Sequence, residues 1–414
     1  MIEVLRNPSY AKLFSAQIIA LVGTGLLTVA LGLLAFDIAG GNAGVVLGTA
    51  LTIKMIAYVA VSPVMSALTA RLRRKPVLVS SDLLRLVVAL ALPTVSETWQ
   101  IYVLIFILQS ASATFTPTFQ AVIPEVLPDE RQYTRALSLS RLAYDLKSLL
   151  SPVIAAALLT VMVYNNLFMG TALGFLASTV LVLTTRFPAI TPAAPAPFLN
   201  RLTLGARIFW RTPQLRSLLA MNLVVAAATA MVIVNTVVLV QGYLQRSESD
   251  VALLLAAYGA GSMIIALVVP LLLDQVADER PVMLTGAALL PVGLVSAAAA
   301  IYFPTGPGQW AGLLLVWLAL GAATSLVLTP SARLLRRAST EDNRPAVFAA
   351  QFSLSHACFL LTYPAAGALG AWLGLSVTAL ILAGLGLLGT VWAVVAWGPN
   401  PQPTPTHPST TTRR

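Results

Sequence analysis

SLSRLAY, residues Ser138 to Tyr144, returns later in the chain as SLSHACF, residues Ser353 to Phe359. Each copy is preceded by a Thr-Pro pair (Thr116-Pro117 and Thr329-Pro330) and followed by a proline inside an apolar run (Pro152 and Pro364). Pro76-Val77-Leu78 and Pro281-Val282-Met283 likewise open corresponding apolar segments. Matches in the same order at similar offsets indicate a duplicated unit. Working outward, an apolar helix needs about 20 residues to cross the hydrocarbon core of a bilayer. Segments meeting that test fall at 10–36, 44–70, 77–95, 100–123, 133–162 and 165–187, and again at 213–243, 250–274, 281–302, 310–330, 344–372 and 374–397. The reading is an all-α membrane protein with about twelve transmembrane helices in two pseudo-symmetric halves of six. The halves cover 1–187 and 213–397, with a cytoplasmic linker over 188–212 and a Pro/Thr-rich, disordered tail over 398–414.

Composition excludes most other classes. The 414 residues are 58% hydrophobic and 10% charged, with a mean hydropathy of +0.86, so membrane lipid is the expected solvent. A formal net charge of +10 would suit a nucleic-acid partner only if the basic residues shared one face. Here they sit in short clusters between apolar runs, and no nucleic acid is expected. The single cysteine, Cys358, rules out an internal disulfide and offers no zinc-ligand spacing. Without a nucleophile–base pair or nucleotide loop, neither an enzyme nor a cofactor is expected. MIEVLRNPSY leads into the first apolar run without a small-residue cleavage site, so that helix is expected to be retained.

Basic residues crowd alternate loops: Arg6 and Lys12, Arg71 to Lys75, Arg131 and Arg135, the linker arginines, Arg280, the group Arg333, Arg336, Arg337 and Arg344, and Arg413 with Arg414. The opposite loops hold only Arg246. By the positive-inside rule the basic side is cytoplasmic, which puts both termini inside a bacterial inner membrane.

Ionisable residues within spans are costly and mark function by default. On the fifth span, Ser138, Arg141, Asp145, Ser148 and Pro152 fall within an arc of about 80° on an ideal helix. Arg141 and Asp145, four apart, can pair. Either this stripe lines a cavity with Asp145 accepting protons or a cationic substrate, or the pair is static and positions helices. His356 takes the place of Arg141 in the second half and shares a face with Ser353, Tyr363 and Gly367. Its ordinary titration range suits a proton-coupled step or a metal ligand. Cys358, on the opposite side, reads as core. Lys54, roughly 15 Å into the second span, is a counter-ion candidate for Asp145 or Asp37, or a proton carrier. Asp37 sits at the outer end of the first span, where solvation alone would account for it. Gln109, Ser112, Thr116 and Gln120 form an uncharged stripe on the fourth span, and Asn222, Thr229 and Thr236 form one on the seventh. Such stripes line wet cavities or bond neighbouring helices. Asp82 and Arg85 read as part of a cytoplasmic gate.

The loop SALTARLRRKPVLVSSDLLR, Ser66 to Arg85, resembles the signature between the second and third helices of the major facilitator superfamily. Leu68, Arg71, Arg74 and Lys75 agree with that pattern, while Ser66, Ala70 and Arg73 stand where it has Gly, Asp and Gly. Its two halves are parallel repeats about an axis along the membrane normal. Ser151-Pro152 followed by Ala155-Ala156 resembles the exporter signature, with small residues in place of glycine. LVGTGLLTVALGLLAFDIAG (Leu21 to Gly40), GTALTIKMIAYVAV (Gly48 to Val61), the stretch Phe115 to Leu146 and the stretch Arg344 to Gly370 resemble the nickel-resistance subgroup of these exporters. Members often end in a histidine-rich tail, where this chain has only His407.

The resemblance implies a secondary active exporter of nickel, with cobalt as a further substrate, in exchange for protons. His356 and Asp145 are the candidate metal ligands, and the chain is expected to act as a monomer. Lys54 and Arg141 in one cavity would repel a dication unless paired, so the competing reading is a proton-coupled exporter of lipophilic drugs or a siderophore.

Overall fold

Segments buried in lipid must satisfy their backbone groups internally, which leaves the helix as the economical element. The computed structural model describes residues 2–61, 65, 72–127, 129–187, 198–275, 278–303, 306, 308–339 and 344–397. Every regular element among them is helical. The first half contains α1 (Pro8–Ala39), α2 (Ala43–Ile56, continued by a π-helical turn Ala57–Val61), α3 (Arg74–Ala91), α4 (Thr98–Val126), α5 (Glu130–Leu158) and α6 (Asn165–Thr184). After α7 (Phe198–Arg211) come α8 (Pro213–Val237), α9 (Glu248–Gln275), α10 (Arg280–Tyr302), α11 (Gly308–Arg337), α12 (Arg344–Leu373) and α13 (Leu375–Trp397).

Local chemistry sets the ends. The Asn7 side chain caps α1 by accepting from the Ser9 and Tyr10 N–H groups (3.0 and 3.2 Å), and Pro8 occupies the first turn, where its missing N–H costs nothing. Glu97 and Gln100 form a capping box on α4. Gly374, at φ 82°, makes the tight turn from α12 to α13 in the left-handed region that favours glycine.

Among the described residues, ten segments are long and apolar enough to cross a membrane. One of them, Pro8–Val61, holds both α1 and α2, reversed at the 3₁₀ turn Gly40–Asn42. α5 fails by composition, because ERQYTRALSLSRLAYDLKS crowds charge into its first turns. It is nonetheless packed between α1 and α9. The expected twelve helices are therefore present among the described residues, and a further helix, α7, falls between the two sets and lies against α12.

The duplication is visible in the packing. α1 lies against α5 and α6, as α8 does against α12 and α13; α3 lies against α4 and α6, as α10 does against α11 and α13. The halves meet along α5·α9 and α2·α12, pairs that exchange under the same repeat. Lipid offers little hydrophobic drive for helix association, so close approach and interhelical hydrogen bonds carry it. Thr171 donates to the Gly23 carbonyl (2.8 Å) between α6 and α1, and Ser217 to the Ala393 carbonyl (2.8 Å) between α8 and α13. Exposed Val87, Leu388 and Val395 form part of the apolar outer face.

A cation-lined cavity in the amino-terminal half

A cavity of about 80 Å³ lies among α1 to α5. That volume admits several waters or the polar head of a ligand, and is below the size of a whole drug-sized site. α1 contributes Gln17 and Thr24, α2 Lys54 and Tyr58, α3 Arg85, α4 Ser112, Phe115, Thr116, Phe119 and Gln120, and α5 Lys147. Ser112, Thr116 and Gln120 follow one another at four-residue spacing, so one face of α4 delivers all three. Tyr58 sits in the π-helical turn of α2, a distortion frequently found at functional sites. The Thr24, Ser112 and Thr116 hydroxyls donate to carbonyls of their own helices (2.7, 3.0 and 3.0 Å), and each oxygen retains acceptor capacity.

The three cations at the wall are not equivalent. Arg85 is buried beside Asp82: its guanidinium donates to one Asp82 oxygen, and Ser178 of α6 donates to the other (2.7 Å). The guanidinium also lies over the Phe115 and Phe175 rings, 4.2 and 4.6 Å from their centroids. Asp82 and Arg85 thus form a buried charge pair at the cavity wall, in which the Arg85 Nε has no hydrogen-bond partner among the described residues. Lys54 and Lys147 have no such partner: among the described residues no carboxylate lines the cavity. Lys54 and Lys147 reach this one cavity from different helices, α2 and α5.

Lys147 is the residue that sequence reasoning passed over. It lies outside the arc shared by Ser138, Arg141, Asp145 and Ser148, although a lysine within a span carries the same signal of function. The side chains of those four residues lie outside the described set, as do Leu68 and Arg71. Arg74 and Lys75 tie the start of α3 to neighbouring helices: Arg74 pairs with Glu125 at 3.4 Å, and Lys75 donates to the Thr185 carbonyl (3.1 Å). Glu125 thus supplies an acid to Arg74 at the start of α3. Asp37 is exposed and accepts from the Tyr164 hydroxyl (2.8 Å). Burial, with the Asp37 hydrogen bond second, pushes the Tyr164 phenol upward from its ordinary range. Gln109 is buried away from the cavity lining.

In the second half, the polar stripe of α8 is engaged between helices. Asn222 donates to Gln351 of α12 (3.1 Å), Thr229 and Tyr258 of α9 share a hydrogen bond (3.3 Å), and Trp317 of α11 donates to Thr236 (3.0 Å). Asn222→Ala is expected to lower the stability of the detergent-solubilised protein by about 0.6 kcal/mol of coupling, read from a double-mutant cycle with Gln351→Ala. Ser353 is half-buried. Tyr363 is buried and stacks on Phe359, with centroids 5.1 Å apart. The His356 Nδ1–H donates to the Phe352 carbonyl (2.6 Å), and its ring stacks 5.7 Å from Tyr58. His356 does not itself line the cavity but stacks on Tyr58, which does. Cys358 is half-buried. Among the described residues no group of three His, Cys, Asp or Glu side chains could hold a metal ion.

Two six-helix halves with a polar cavity within the spanning helices define a membrane transporter. The chain belongs to the Major Facilitator Superfamily, whose family model matches residues 13–244 and 218–413. It is 23% identical to the uncharacterised MFS-type transporter YfiS of Bacillus subtilis over 78% of each chain. It is also 26% identical to Macrolide efflux protein A of Enterococcus faecalis, over 35% of this chain and 47% of that one. Among solved structures, the nucleoside transporter NupG superposes with a TM-score of 0.71 at 14% identity, covering 94% of this chain and 99% of that one. An inward-facing, occupied bacterial homologue of the lysosomal transporter Spinster superposes at 0.74 and 13% identity, covering 94% and 96%. These two share the fold.

Proposed function

We propose that the chain is a secondary active exporter moving a small organic molecule out of the cytoplasm across a bacterial inner membrane, as a monomer energised by protons. The carrying observation is the cavity wall, where two lysines, glutamines and hydroxyls stand with no carboxylate among the described lining residues. Such a wall suits the oxygens of an organic solute and repels a dication. The direction of export is supported by the part-length resemblance to macrolide efflux proteins and by the Ser151-Pro152 and Ala155-Ala156 pattern. Alternating access would use the α5·α9 and α2·α12 seams, along which the two halves can rock. The clustering of basic residues in alternate loops supports a cytoplasmic position for both termini.

Nickel or cobalt export is the competing reading, with His356 and Asp145 as ligands. It finds one imidazole stacked between rings where a nickel site calls for several nitrogen or oxygen donors. Cells of a metal- and drug-sensitive bacterial strain carrying the protein are expected to show unchanged nickel and cobalt tolerance and lowered accumulation of at least one organic compound in a dye and antibiotic panel. Raised nickel tolerance with lowered cell-associated metal would overturn this assignment.

Proton coupling is assigned to Asp145 of α5. In everted vesicles, Asp145→Asn is expected to abolish uphill transport driven by an imposed pH gradient, while exchange of substrate between equal pools continues. Full uphill transport by that variant would remove Asp145 from the coupling step.

A further inference from the structure

We propose that Lys54 and Lys147 form an anion-binding subsite, so that the transported molecule is an organic acid whose carboxylate, sulfonate or phosphate group sits between the two ammonium groups. This rests on the export reading and names the substrate class of the same cavity.

Positive charge is left over at the wall. Arg85 is already paired with Asp82, which Ser178 also satisfies. Lys54 and Lys147 arrive from different helices, α2 and α5, and open on one cavity. Neither has an ion pair among the described residues. Other described carboxylates of this half are engaged or lie at its ends: Asp37 with Tyr164, Glu125 with Arg74, Asp129 at the start of α5.

Two like charges withdrawn from water without a counter-ion are strongly disfavoured, and the loss is recovered when an anion joins them with hydrogen bonds. The rest of the wall describes the remainder of the ligand. Phe115, Phe119 and Tyr58 offer ring surface, and the Thr24, Ser112 and Thr116 oxygens can accept from ligand N–H or O–H groups. A cavity of about 80 Å³ matches an acid head, with the apolar body extending towards the rings.

An anionic lipid headgroup presents the same chemistry as a free acid, and the test separates them. The full-length protein is reconstituted in phosphatidylcholine nanodiscs, and binding of benzoate, naphthalene-2-sulfonate and phenyl phosphate is compared with benzamide and benzylamine by thermal-shift and tryptophan-fluorescence titration. At least one of the three anions is expected to bind at least tenfold more tightly than the neutral amide, and the amine not at all. Lys54→Met and Lys147→Met are each expected to weaken that anion at least tenfold, whereas Lys54→Arg and Lys147→Arg retain it within about threefold. The arginine variants keep the charge and so show whether folding alone is responsible.

Equal affinity for anion and amide, or anion binding unchanged in both methionine variants, would overturn the proposal. So would loss of anion binding when phosphatidylglycerol is added, which would assign the subsite to lipid. The two readings fail separately. Efflux of neutral or cationic dyes without lysine-dependent anion binding defeats this inference and leaves export standing. Lysine-dependent anion binding in a protein that exports no organic compound defeats the export reading and leaves the subsite.

Discussion

Arg85→Ala is expected to destabilise the protein by about 3–5 kcal/mol, the largest effect of any single substitution considered at the cavity wall. Asp82 is completely buried, and Arg85 is 5% exposed. Removing the guanidinium leaves a carboxylate with only the Ser178 hydroxyl to satisfy it, and opens space between Phe115 and Phe175. The double variant Asp82→Leu with Arg85→Met is expected to recover most of the loss, since a well-packed apolar pair can replace a buried ion pair at little cost. Thermal denaturation of the solubilised protein reads both. A loss below about 1 kcal/mol for Arg85→Ala would mean that Asp82 does not depend on its partner, contrary to the geometry.

The second large effect is expected at the seam between the halves. Where α2 meets α12, a Cβ added at Gly48 would lie 2.7 Å from the Tyr363 carbonyl oxygen, and one at Gly367 would run into the Gly44 backbone. Backbone cannot yield as a flexible side chain does, so Gly367→Val must push the helices apart or strain them, at about 1–3 kcal/mol. Asn235 holds the adjoining turn of α12 by donating to the Ala366 carbonyl (3.1 Å), which limits local relief. The variant is expected to hold this end of the seam open and to lose transport. Spin labels at exposed Gly41 and Trp372, in a Cys358→Ser background, should report a longer mean separation. An unchanged distance distribution with normal transport would show that the seam tolerates the side chain.

Much of the architecture was legible along the chain because its causes are local. Apolar length marks nearly every span, and Asn7-Pro8 and Gly374 mark ends through groups within a few residues. α5 is the instructive exception: its charged first turns fail a hydropathy test, yet the repeat SLSRLAY and SLSHACF identifies it with α12. The site was legible only in part. Lys54, Ser112, Thr116 and Gln120 were selected as polar residues inside spans, and all four line the cavity. The stripe Asn222, Thr229 and Thr236 carried the same signal and proved to bond neighbouring helices. Periodicity reports which face a polar group occupies, but not whether water or another helix stands opposite.

Sequence alone determined that this protein lives in a membrane, that its helices come in two related sets, and which residues are costly to bury. Those conclusions follow from hydropathy, helix geometry and repetition, each readable over a short window. Only the tertiary structure decided which buried charges are satisfied. Arg85 is quenched by Asp82, one turn away on α3, but its rings and the second bond to Asp82 come from α4 and α6. Lys54 and Lys147, distant in sequence and unremarkable as a pair, share one cavity because α2 and α5 converge there. The cost of a buried charge depends on partners within a few ångströms, and those partners are assembled from helices that no local window contains.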